Sequence, residues 1–136
     1  MQFAKVARKY GLRFVILHGS YATGRPHKGS DLDIAVLGNK ELDSRKYLNL
    51  HGEVADIFGD NPRRELDFKM LNRVDPFFRY QVARDGVLLY GDTTAYEEFK
   101  LFAYRAYDDA QPLLELERTL SKKYQKYLNA FSAKYA

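Results

Sequence analysis

Two short pieces of this chain carry most of its chemistry. The first is Gly19-Ser20, and after ten intervening residues comes the second, Asp31-Leu32-Asp33. Glycine lets a backbone approach a ligand closely, and free N–H groups at the start of a helix bind anions. The serine hydroxyl adds a donor. Asp31 and Asp33 occupy alternate positions of an alternating apolar run, so both carboxylates project from one face of a strand. Such a pair repels unless a cation lies between its members. Mg²⁺ takes oxygen ligands and often binds through one or two carboxylates plus substrate phosphates. A phosphate-binding turn beside paired acids therefore points to metal-assisted chemistry on a nucleotide. Asp67 lies on the polar face of a second alternating segment. If that strand neighbours the first, Asp67 completes a three-carboxylate site, which would let two metals clamp an in-line displacement.

The elements that must hold these residues can be read around them. Phe3, Val6, Ala7 and Tyr10 recur at helical spacing, and Gly11 closes that segment. Leu12–Leu17 has the apolar run of a strand buried on both faces. Residues 24–30 are loop, and 31–37 alternate as a strand with Leu32, Ile34 and Val36 on its apolar face. Residues 43–58 are a helix with Asp43 as N-cap, and 65–70 form a further strand. Asp75-Pro76 opens a helix to about Arg84. Val87–Tyr90 is a short strand. Thr94 and Glu97 have the spacing of a capping box, and two helices separated near Gln111-Pro112 run to the end. The last carries Leu113, Leu116, Leu120, Tyr124, Tyr127 and Phe131 as a stripe. Strands alternating with helices give an α/β (α+β) class.

The wider run, Leu17-His18-Gly19-Ser20-Tyr21-Ala22, Gly24 and then Ser30-Asp31-Leu32-Asp33-Ile34, resembles the minimal (MNT) branch of the DNA-polymerase-β-like nucleotidyltransferases. Leu66-Asp67-Phe68 and Asp85–Tyr90 fit the same branch. The resemblance implies a small mixed sheet flanked by helices and covers residues 1–91, the expected catalytic core, with 92–136 as a helical extension packing on the core or on a partner. It implies that Asp31, Asp33 and Asp67 are metal ligands, Asp67 also serving to activate the nucleophile, and that Gly19 and Ser20 bind phosphate. Ser30, Arg25 and Lys69 are further candidates for phosphate contact, although a structural role suits Ser30 better. The implied reaction moves AMP from ATP, with Mg²⁺, onto a tyrosine of a HEPN-type helical toxin, making the chain an antitoxin. The alternatives are transfer to a small molecule of the antibiotic type, or neutralisation by binding alone. Asp56 and Asp60 compete with Asp67 but suit a helix end and a turn. His18 reads as a strand-end packing residue, and His27 and His51 as surface.

Composition bounds the rest. A chain of 136 residues is one domain's worth and leaves no room for a separate acceptor-binding domain. It has no cysteine, which removes thiol chemistry and thiolate metal sites and fits a reducing compartment. The net charge of +4 lies wholly in residues 1–91, with 15 basic and 11 acidic side chains, while 92–136 hold 7 of each. That excess suits a triphosphate better than a long nucleic acid. The N-terminus lacks the pattern of a signal peptide, and no apolar run approaches ~18 residues. The expected setting is cytoplasmic, away from membranes.

Overall fold

The computed structural model describes residues 2–135. In chain order it contains α1 (Gln2–Tyr10), β1 (Leu12–His18), a single-turn α2 (Gly19–Ala22), β2 (Leu32–Gly38), α3 (Ser44–Phe58), β3 (Leu66–Met70), α4 (Pro76–Asp85), β4 (Val87–Tyr90) and α5 (Thr93–Tyr135). The strands form one mixed sheet of order β3-β2-β1-β4. β1 pairs antiparallel with both β2 and β4, and β2 pairs parallel with β3. The parallel pair needs a crossover, which α3 supplies.

Helices cover both faces of the sheet. On one face Val15, Ile34, Val36 and Phe68 pack with Leu50 and Val54 of α3 and Ala7 of α1. On the other, Phe14, Ile16 and Ala35 meet Val82 and Ala83 of α4 and Tyr96, Phe99 and Ala103 of α5. This is why β2 departs from simple alternation: Ala35, on its expected polar face, is as buried as Ile34. Phe14 sits edge-on to Tyr96, with ring centroids 5.4 Å apart. Each such side chain, fully buried, contributes ~1.5–3 kcal/mol.

The expected caps hold at two helices. The Asp43 carboxylate accepts from Lys46 N–H, and that of Asp75 from Phe78 N–H. At the third, the structure corrects the sequence. Asp92, not Thr94, receives the N–H of Ala95, and the helix begins at Thr93. A second correction concerns Pro112. The two expected C-terminal helices are one helix of 43 residues that runs through the proline. A proline removes one backbone donor and crowds the carbonyl four residues earlier. Both Pro112 and Asp108 are exposed, so water can satisfy that carbonyl.

The two halves of α5 differ. Tyr96, Phe99 and Ala103 are buried, whereas every described residue from 115 to 135 is exposed. At ~1.5 Å per residue, the helix outreaches the domain on which it is seated. No helix among the described residues is long and apolar enough to cross a membrane.

Candidate active site

β1 ends at His18 and the chain turns at once into α2. Gly19 is required there twice over. Its φ is +70°, and a Cβ built on it would lie 2.0 Å from Asp33 Oδ2. Any side chain would displace the carboxylate, so the glycine brings the turn directly against the acid. The turn is tied internally: Ser20 C=O accepts from Arg25 N–H, and Gly19 C=O from Thr23 N–H.

Asp33 faces His18 across the antiparallel β1–β2 pair and Asp67 across the parallel β2–β3 pair. All three therefore share the sheet face that α4 covers further along. Asp33 is half-buried, and burial first, then the charge and hydrogen bond of Asp67 and the charge of Asp31, push its carboxyl up to about 6. Asp31 lies just ahead of β2 and is exposed. Among the described residues no three acidic or histidine side chains gather as a metal-binding group. The expected trio is thus a close pair, Asp33 and Asp67, with Asp31 at its mouth. This set fits a hard divalent cation, because two juxtaposed carboxylates, one reluctant to ionise, are relieved by a positive charge.

The remaining candidates divide. Lys69, two residues beyond Asp67 on the same strand face, places Nζ 3.9 Å from Asp67 Oδ1. Arg25 is exposed in the 24–30 loop. Ser30 is buried, and its Oγ accepts from His27 N–H at 2.8 Å while its own N–H donates to His27 C=O. These two contacts with His27 brace the loop. The Asp60 carboxylate accepts from Leu66 N–H, and Asp56 is exposed on α3, so neither competes with Asp67.

Two groups carry more than the sequence assigned them. His18 is buried edge-on to Phe78 at 5.7 Å, and its Nε2 has no hydrogen-bond partner among the described residues. Burial lowers its pKa, with Asp67 and Asp85 pulling the other way. The signal was its place directly before Gly19-Ser20. Tyr47 of α3 donates to Phe68 C=O at 3.2 Å, and burial and the Asp67 charge raise its pKa. No short-range pattern joins α3 to β3, so nothing in the sequence marked it. His51 is corrected from surface to half-buried, stacked on Phe68 with centroids 5.4 Å apart.

Residues 2–95 match the family described as Polymerase beta, Nucleotidyltransferase. The chain belongs to that family. This nucleotidyltransferase is similar to the protein adenylyltransferase MntA of Aphanizomenon flos-aquae (strain 2012/KM1/D3), with 29% identity over 124 residues, 86% of this chain and 81% of the relative. Among solved structures it resembles a toxin–antitoxin crystallised with AMP-PNP, with TM-score 0.67, 26% identity, and coverage of 84% of this chain and 94% of the other. A chain of the complex of MNT antitoxin with tri-AMPylated Shewanella oneidensis HEPN toxin, 24% identical, shares the fold, with TM-score 0.61 and coverage of 83% and 90%.

Proposed function

We propose that this nucleotidyltransferase moves AMP from ATP, with Mg²⁺, onto a tyrosine hydroxyl of a HEPN-type toxin, and so acts as an antitoxin. The observation that carries the reading is the seating of Gly19 against the Asp33 carboxylate with Asp67 beside it. The similarity to an adenylyltransferase named MntA and to toxin–antitoxin structures supports the choice of acceptor.

In this reading Asp33 and Asp67, with Asp31 at the mouth, hold the divalent cations. These supply charge neutralisation at the triphosphate and at the departing pyrophosphate. Gly19 and Ser20 bind the phosphates through the backbone of the turn and the serine hydroxyl, and Lys69 and Arg25 add positive charge at its rim. The acceptor oxygen attacks the α-phosphorus, a new O–P bond forms and the α–β bridging bond breaks. The Asp67 carboxylate takes the hydroxyl proton and passes it to solvent. Oriented placement of the two reactants supplies much of the acceleration.

The test is ATP-dependent labelling of a co-encoded HEPN-type protein. The wild-type chain labels it in the presence of Mg²⁺, and the Asp31→Asn/Asp33→Asn chain does not. Undiminished labelling by the double variant overturns the reading. Toxin neutralisation by that variant would instead favour an antitoxin that works by contact.

A further inference from the structure

α5 carries opposite charges toward its two ends. Residues 92–117 hold seven acidic and two basic side chains, whereas 118–136 hold five basic and none acidic. The distal half also bears an uncovered row. Leu113, Leu116, Leu120, Tyr124, Tyr127 and Phe131 are each more than half exposed. The same three-and-four spacing carries the row back into the proximal half through Asp109, Ala106, Phe102 and Glu98. There Phe102 and its neighbour Leu101 are more than half exposed as well. Each half thus has apolar side chains without cover, set among lysines in one and among acids in the other.

Spacing turns this contrast into a register. Lys123 and Lys134 are eleven residues apart, and so are Glu98 and Asp109. Eleven residues make ~3 full turns, so each pair keeps nearly one angle round the helix. At ~100° per residue all four lie along the same edge of the row, and Lys126 lies further round. Among the described residues none of the four has an ion-pair partner. Two helices laid antiparallel about a two-fold axis set like edges face to face. With the axis at Leu116, Lys134 of each copy meets Glu98 of the other, and Lys123 meets Asp109. Phe131 falls opposite Leu101, and Arg105 falls opposite Tyr127, where a cation suits the ring face. Tyr135 comes beside Glu97, where the proximal half borders a cleft of about 590 Å³ with Ala95, Phe99 and Phe102 in its wall. A parallel copy would set each of these charges against itself. An antiparallel copy centred on Tyr124 would leave Leu101 and Phe102 uncovered. An anionic membrane would repel Glu98 and Asp109.

We propose that two copies of the chain pair antiparallel through α5, the distal half of each covering the exposed proximal face of the other. The pairing needs neither nucleotide nor acceptor, so failure of AMP transfer would leave it standing. Phe99 lies ~26 Å along the axis from Leu116, so the two domains sit at opposite ends of the pair. A two-helix contact edged by exposed ion pairs is expected at about micromolar strength, so the dilute chain is monomeric with its distal half as surface.

Sedimentation equilibrium of the full-length chain alone tests it. Wild type is expected to be dimeric at ~100 µM and low salt. Leu116→Glu, which sets two carboxylates together at the axis, should weaken pairing at least about 100-fold. Lys123→Glu/Lys134→Glu should weaken it about tenfold at low salt and less at high salt. Adding Glu98→Lys/Asp109→Lys to that variant restores opposite charges across the axis and should return pairing to within about threefold of wild type. All three variants should keep wild-type AMP-PNP affinity, which reports a folded domain. A monomeric wild type at ~100 µM overturns the proposal, and so does a folded four-substitution chain that fails to pair. Loss of acceptor binding on Leu116→Glu in a chain that is monomeric throughout reassigns the row to the acceptor protein. Co-sedimentation of such a monomer with phosphatidylserine vesicles, abolished by Leu116→Glu, reassigns it to a membrane.

Discussion

The two halves of α5 share a helix and an apolar periodicity and differ in what surrounds them. Phe99 is buried against Phe14, whereas Phe131 is 53% exposed. The amphipathic pattern of a helix thus reports that a face wants cover, not whether this chain supplies it. The proximal half is part of the enzyme's core. The distal half is surface, and its residues are free to change without cost to the fold.

The sharpest break of this contrast is a pair of truncations. Phe99→Ala should cost about 3–5 kcal/mol of stability in a denaturant titration. Phe131→Ala should stay within about 0.5 kcal/mol. Comparable losses at the two positions would mean that the distal half is covered by the chain itself. The next effect belongs to the end of the sheet that carries Asp33. Gly19→Ala, which must move the Asp33 carboxylate, is expected to lower AMP transfer about 100-fold in a steady-state assay, with the fold retained by circular dichroism. Tyr127→Ala, outside that site, should leave AMP-PNP binding unchanged.

A pH series in metal-free protein sharpens the contrast further. The Asp33 carboxyl is raised to about 6 in the folded chain, above its unfolded value. The folded state therefore holds this proton more tightly. Its contribution to stability is full below about pH 4 and is lost as pH rises through about 6. Thermal melts across that window should show Tm falling, and Asp33→Asn should flatten the decline. Added Mg²⁺ should also flatten it, because a cation favours the ionised form. The smallest effect is at the start of α5, where Asp92→Ala removes the cap on Ala95 N–H and should cost about 1 kcal/mol by denaturant titration. Thr94→Ala, at the position where the capping-box spacing placed the cap, should cost little.

The legible parts of this protein were those fixed by short-range rules. Spacing placed Asp33 and Asp67 on strands of the right period, and the sheet brought them into register. Asp43 and Asp75 were identified as caps because an N-cap needs only a few neighbouring residues. Pro112 misled because a proline costs a helix one backbone bond and crowds the carbonyl four residues earlier, yet need not end it. The burial of Ala35, the stacking of His51 and the bond from Tyr47 to Phe68 depend on contacts between elements distant in sequence, which periodicity does not encode. Asp31 shows the intermediate case. Its alternation with Asp33 was visible, but not that β2 begins only at Leu32 and leaves it exposed.

The parallel β2–β3 register has one more consequence. Side chains alternate along a strand, so a slip of one residue would carry Asp67 to the opposite face and leave Asp33 without its neighbour. No intermediate position exists, and the carboxylate pair is therefore made or unmade as a whole. Leu66 and Phe68, buried on the face opposite Asp67, oppose such a slip, with Asp60 fixing Leu66 N–H and Tyr47 fixing Phe68 C=O at the two ends of the carboxylate. These two polar anchors bracket the acid from outside the carboxylate pair, and they act as the detent that holds the strand in its one register.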